Sequence, residues 1–234
     1  MICVGESHMA CVLAAADQSG TPLDAIGLKA SVGREFEQVR EGESTRATRL
    51  ELIDVDELES KADRMKGPVL SFLGGKNYLA LGLKRHPNPF DFVLPEAPEL
   101  PLQPESTLIP YRAVRGVIAH RAEVQLCIFD QLVEVASGPV YQFETPPPPA
   151  TEWLQARKPV ADPVRQYSGV RYKLWRVHAD VVREHVEQNG GRYVPTPPDA
   201  LDADGLLRPE LCANQSHANA AYGALVLEQM VSLQ

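Results

Sequence analysis

With 234 residues, 44% of them hydrophobic, the chain carries enough apolar material for a buried core, and one domain over residues 1–234 is the expected organisation. A formal net charge of -8 without a long Lys/Arg run excludes the basic face that a phosphate backbone needs, so no nucleic-acid partner is expected. No stretch approaches the ~20 apolar residues of a bilayer-spanning helix and no basic region precedes the first apolar run, so a cytoplasmic protein with no membrane partner is expected.

In chain order, MICV (1–4) is a short apolar run, Gly5 follows it, and HMACVLAAA then repeats apolar residues at helical spacing: strand, tight turn, helix. DAIGLKA (24–30) reads as a second strand. The charge-rich stretch from Arg34 to about Asp63 has only a faint helical pattern in VDELESKADRM and no clear strand, which suggests surface covering. GPVLSFLGG (67–75) reads as a fully buried parallel strand ending at a Gly pair. A Pro-rich loop leads to a long helix from about Ser106 to Ala136, followed by a fourth strand in GPVYQFETPPPP. Tyr172 to Gln188 reads as a helix, GRYVPTPP as a fifth strand, and Ala218 to Val231 as a terminal helix. Cys3, Cys11, Cys127 and Cys212 are widely spaced with no CxxC pair, which points to buried thiols rather than disulfides or a metal site.

This alternation predicts an α/β fold: a three-layer α/β/α, flavodoxin-like sandwich around a parallel sheet of about five strands. Ligands of such sheets bind off the carboxyl ends of the strands. The rule selects Gly5 to His8, Ala30 to Gly33, Gly74 to Tyr78, Thr145 to Pro149 and the segment before the last helix. Ser7 in the strand-to-helix turn suits two roles, a helix cap or a nucleophile. A nucleophile needs a base and oxyanion donors; the rim supplies His217 before the terminal helix and Asn77 after the paired glycines.

Ser7 in GES after the first strand, Asn77 in GKN after the third and His217 before the last helix resemble, in order and spacing, the Ser, Asn and His blocks of the SGNH (GDSL-type) hydrolases. Gly33 is a looser match to the Gly block. The phrases GGKNYLALGL, HPNPFDFVLP, YKLWRVHADVVREH and SHANAAYGALVLEQM resemble a bacterial branch of that superfamily. The resemblance implies a serine esterase-type hydrolase acting on a small-molecule ester, thioester or acetyl group, with an acyl-enzyme on Ser7. His217 would be the base, the Ser7 and Gly33 N–H groups with Asn77 the oxyanion hole, and no cofactor or metal would be needed. GGKNY also aligns with Lys76 in the amide place. Asn214 stands where the family usually has an Asp, three residues before the His, and removes the charge that steadies an imidazolium. Two alternatives follow: a binding protein on the same fold with turnover lost, or an acyltransferase using the same serine. His8, Tyr78, His86 and Phe90 are the candidate substrate contacts, the last two on a loop able to act as a lid. Glu6 is expected to fix the turn through hydrogen bonds.

Overall fold

The computed structural model describes residues 1–28, 47–75, 77–82, 88–157 and 167–233. Its centre is a six-stranded sheet: β1 (Ile2–Gly5), β2 (Leu23–Leu28), β3 (Thr48–Ile53), β4 (Val69–Phe72), β7 (Val140–Phe143) and β8 (Arg192–Val194). The order is β3-β2-β1-β4-β7-β8, and every neighbouring pair is parallel. Two further residue pairs, β5 (Phe90–Asp91) and β6 (Thr107–Leu108), form a separate small ladder. The helices are α1 (Ala10–Ser19), α2 (Leu79–Gly82), α3 (Tyr111–Val135), α4 (Thr151–Arg157), α5 (Ser168–Gln188) and α6 (Ala220–Ser232).

Side chains of successive strand residues point to opposite faces, and the core divides accordingly. Ile2, Val4, Ile26, Leu28, Val69 and Val140 join the cluster formed with α3 and α5. Cys3, Ala25, Leu70, Phe72, Tyr141 and Phe143 join the cluster formed with α1 and α6. Both faces of the sheet are thus covered, which explains why its central strands read as continuous apolar runs rather than alternating ones. The result is the expected α/β/α sandwich with one strand more than expected.

The additional strand is β3, from the stretch read as surface covering. TRLELI is a half-buried edge strand whose charges hid it. Edge strands carry charge because an uncovered apolar edge invites pairing with other chains, and here the charges are matched. Arg64 reaches Asp24 at 2.5 Å and also Glu51, while Lys61 meets Glu51 at 2.9 Å. These cations come from the 3₁₀ segment Val55–Arg64, started by a capping box between Asp54 and Glu57 and anchored by buried Leu58.

The order of strands matters for the site. The chain winds outward from β1 through β2 to β3, then returns to place β4 on the other side of β1. A crevice opens where winding reverses, off the carboxyl ends of β1 and β4. Ser7 follows β1 and the glycine pair follows β4. The strands approach closely there because β1 ends in glycine: a Cβ on Gly5 would lie 2.7 Å from Phe72 Cβ.

Candidate active site

Ser7 opens a 3₁₀ turn, Ser7–Met9, that leads into α1. Glu6 occupies the N-cap position, and no side-chain capping bond is made at this turn. The Ser7 side chain instead faces His217: Oγ lies 3.0 Å from Nε2, although 210 positions separate the two residues. Ser7 is only 2% exposed, so its hydroxyl is held rather than free to rotate into water.

His217 is brought there by α6. The loop before this helix is closed by a bridge between Cys212 and Ala218 and by Ala213 N–H donating to the His217 carbonyl at 2.9 Å. Asn219 caps α6, its Oδ1 accepting from the N–H groups of Ala221 and Tyr222, and its Nδ2 donates to the Glu210 carbonyl at 2.7 Å. The helix then lies against α1 with little between them, since a Cβ on Gly223 would sit 2.0 Å from the Cys11 carbonyl oxygen. The helix that begins beside Ser7 and the helix that follows His217 are therefore in direct backbone contact.

Behind the imidazole, Nδ1 meets Ser216 Oγ at 3.0 Å and Asn214 Oδ1 at 3.1 Å. One flank is supported by His8, whose buried ring has its centroid 5.0 Å from that of His217. His8 is itself backed by Gly75, where φ is +131° and a Cβ would fall 2.0 Å from His8 Nε2. Only glycine suits that position on both counts.

The loop after β4 is fixed from below by neutral polar groups. Ser71 and Gln142 are register neighbours on β4 and β7, and Ser71 donates to Gln142 Oε1 at 2.6 Å. Gln142 and Gln125 both donate to the Leu73 carbonyl, at 3.1 and 3.0 Å. Gln125 Oε1 accepts from Asn77 Nδ2 at 2.6 Å. Glu6 Oε2 accepts from Gly74 N–H at 3.0 Å, so Glu6 ties the two rim loops together and occupies the Gly74 donor.

Among the remaining sequence candidates, Asn77 commits one of its two amide hydrogens to Gln125, and its backbone carbonyl accepts from Arg121 at 3.0 Å. It does not line the cavity over Ser7. Gly33, Lys76 and His86 lie outside the described residues. Tyr78 is 1% exposed, its ring against His178 and its hydroxyl donating to the Pro146 carbonyl at 3.4 Å, and it lines a small cavity shared with Asn214, Ser216 and His217. One substrate contact requires correction. Phe90 pairs with Thr107 and packs against the α3/α5 cluster rather than over Ser7. Phe92 and Trp153 are likewise buried. Of the cysteines, Cys3, Cys11 and Cys212 are buried and Cys127 is exposed. Burial pushes the Cys3 thiol far above its ordinary range and the Cys11 thiol up to about 12, so neither competes with Ser7 as a nucleophile.

Sequence reading did not single out Ser216, Gln125 or the Ser71–Gln142 pair. A faint signal exists for the last three, each a polar residue inside an otherwise apolar strand or helix stripe. Ser216 carries no such signal.

A cavity of about 250 Å³ adjoins the Ser7–His217 pair. Its other described walls are Ala10, Cys11, Ala14, Ala213, Asn214, Ala218, Asn219 and Ala220, and among the described residues none that lines it carries a formal charge apart from titratable His8 and His217. Among the described residues no His/Cys/Asp/Glu group has the arrangement of a metal site, and no helix is long and apolar enough to cross a membrane.

No protein-family model and no curated protein matches this sequence. Several solved structures follow a similar chain course. An extracellular lipase from Streptomyces rimosus shares 12% identity at a TM-score of 0.46, over 98% of this chain and 97% of that one. A phospholipase A1 from Streptomyces albidoflavus shares 13% at 0.45, over 99% and 97%. A GDSL-like lipase from Bacteroides thetaiotaomicron shares 9% at 0.39, over 100% and 88%. At such scores the chemistry of this site rests on its own distances.

Proposed function

We propose that the chain is a serine hydrolase that cleaves a small ester, thioester or acetyl group through an acyl-enzyme on Ser7. The observation that carries this reading is the 3.0 Å contact between Ser7 Oγ and His217 Nε2, with acceptor oxygens behind Nδ1. A hydroxyl is a poor nucleophile until a base takes its proton, and an imidazole does so best with its far nitrogen held by an acceptor that fixes tautomer and orientation.

In acylation, Ser7 Oγ attacks the substrate carbonyl as its proton passes to His217 Nε2. The oxyanion draws on the Ser7 N–H, one of the donors that a helical turn leaves without an internal partner. The second Asn77 amide hydrogen and the Gly33 N–H complete the proposed donor set. His217 then returns the proton to the leaving oxygen or sulfur as the carbonyl–leaving group bond breaks. In deacylation, water gives its proton to Nε2, attacks the ester on Ser7, and Ser7 recovers that proton. The cavity beside the pair, walled by alanines, suits a compact uncharged substituent.

The test is covalent labelling. Treated with a fluorophosphonate, the wild-type chain should be modified at Ser7, and Ser7→Ala should lose both labelling and hydrolysis of a short p-nitrophenyl ester. Cys127→Ala, which alters the exposed thiol, should keep both. Equal hydrolysis by wild type and Ser7→Ala would overturn the proposal, and an unlabelled, inert wild type would leave the fold serving binding alone.

A further inference from the structure

The surroundings of His217 Nδ1 assign a role to Ser216. Asn214 Oδ1 accepts from the backbone N–H of Ser216 at 2.9 Å and of His217 at 3.0 Å. Backbone N–H groups only donate, so the atom facing them is the amide oxygen and the side chain cannot be turned the other way. That oxygen also lies 3.1 Å from Ser216 Oγ and 3.1 Å from His217 Nδ1. Having no hydrogen, it directs the Ser216 O–H toward itself, and a Ser216 lone pair is left for Nδ1 at 3.0 Å. An unprotonated Nδ1 would set its own lone pair against Asn214 Oδ1. A protonated Nδ1 satisfies both oxygens and leaves Nε2 bare toward Ser7.

We infer that Ser216 is a positioning residue: its hydroxyl, oriented by Asn214, accepts from His217 Nδ1–H and holds the ring in the tautomer that can take the Ser7 proton. The inference rests on the reading of His217 as the base. Two neutral oxygens divide the work that a single carboxylate would do. The Nδ1 proton stays in place throughout; the only proton that moves is the one between Ser7 Oγ, Nε2 and the leaving group or water.

The test uses the full chain as wild type, Ser216→Ala and Ser216→Thr, with two readouts. The first is the rate of Ser7 labelling by a fluorophosphonate as a function of pH. Losing one hydrogen bond to the developing imidazolium should slow labelling by ~5–10-fold and move the rising limb of the profile to lower pH, and threonine should restore both. The second is the ¹⁵N spectrum of the histidine rings, with His217 assigned by its loss in His217→Gln. Wild type and Ser216→Thr should show Nδ1–H, and Ser216→Ala a mixture of tautomers. An Ala variant matching wild type in rate, pH profile and tautomer overturns the inference. If wild type is not labelled, the hydrolase proposal fails, and the spectra still decide on Ser216: an undiminished Nδ1–H population in the Ala variant overturns its role.

Discussion

Under the proposed mechanism, Asn214 is the residue on which the catalytic power of this site turns, because it offers the acceptor of an aspartate without its charge. The tautomer does not suffer, since the amide oxygen, committed by two backbone donors, faces Nδ1 at 3.1 Å and orients the Ser216 hydroxyl that shares the work of holding it. What is lost is the attraction between a carboxylate and the imidazolium formed during acylation. Asn214→Asp would supply it at an exposed position, where solvent screens much of the effect. Single-turnover acylation by Asn214→Asp is therefore expected to rise by less than about 10-fold, with the His217 limb of the pH profile moved upward. A gain of about 100-fold or more would mean that the wild-type ring rests in the other tautomer. His217 was legible in the sequence from its place before the last helix, and Asn214 from the resemblance, which puts an orienting residue three positions earlier. Ser216 was not, since a serine beside a histidine is ordinary until the loop closes and turns both side chains to the same amide.

At the scale of elements, Ser7 and His217 meet because α1 and α6 do. A Cβ on Gly223 would lie 2.0 Å from the Cys11 carbonyl oxygen and 2.9 Å from the Val12 nitrogen, backbone atoms that cannot swing aside. Gly223→Ala should force the helices apart, cost ~1–3 kcal/mol in urea denaturation and lower ester hydrolysis more than the loss of folded protein explains. Gly116 provides the contrast, for it lies inside α3 and its Cβ would meet nothing within 4 Å. There Gly116→Ala should stabilise by ~0.5–1 kcal/mol, through helix propensity and a less flexible unfolded chain, and leave hydrolysis unchanged. Loss of stability in Gly116→Ala, or none in Gly223→Ala, would contradict this account of the helix contact. The helices themselves were legible from their periodicity. The need for glycine in AAYGAL was not, because a sequence does not say which face of a helix meets another backbone.

For the molecule as a whole, two buried features govern its behaviour. Lys173 and Asp91, each 1% exposed, pair at 3.0 and 3.1 Å and are closed off by the Phe92 and Gln103 N–H groups and the Pro101 carbonyl. They fasten the Pro-rich loop to α5 beneath the sheet, and satisfied in this way the charges are tolerated in the interior. His178 on the same helix is buried against Tyr78, and desolvation pulls its imidazole from 6.5 down to about 4, so it is neutral in the native state. The unfolded chain takes up a proton near 6.5 and the native one does not. The stability associated with the neutral ring is therefore complete above that pH, is lost as pH falls from about 6.5 to about 4, and changes no further below. The loss is on the order of 3 kcal/mol. Urea midpoints across this window should fall more for wild type than for His178→Phe; parallel curves would show that His178 does not carry the acid sensitivity.

The sequence by itself determined the layered α/β plan, since buried parallel strands and amphipathic helices differ in period and length, and it placed Ser7 and His217 at the rim. It did not reveal β3, whose charges are explained only by Arg64 and Lys61 from the neighbouring segment. Nor did it reveal that Phe90 packs against the α3/α5 cluster or how deeply Tyr78 is buried, because the direction of a loop side chain depends on what else fills the core. The tertiary structure decided the strand order, and with it the meeting of residues 210 positions apart at 3.0 Å. Local preference acts over a few residues, whereas the contact between Ser7 and His217 is set by two helices packed across one face of the sheet.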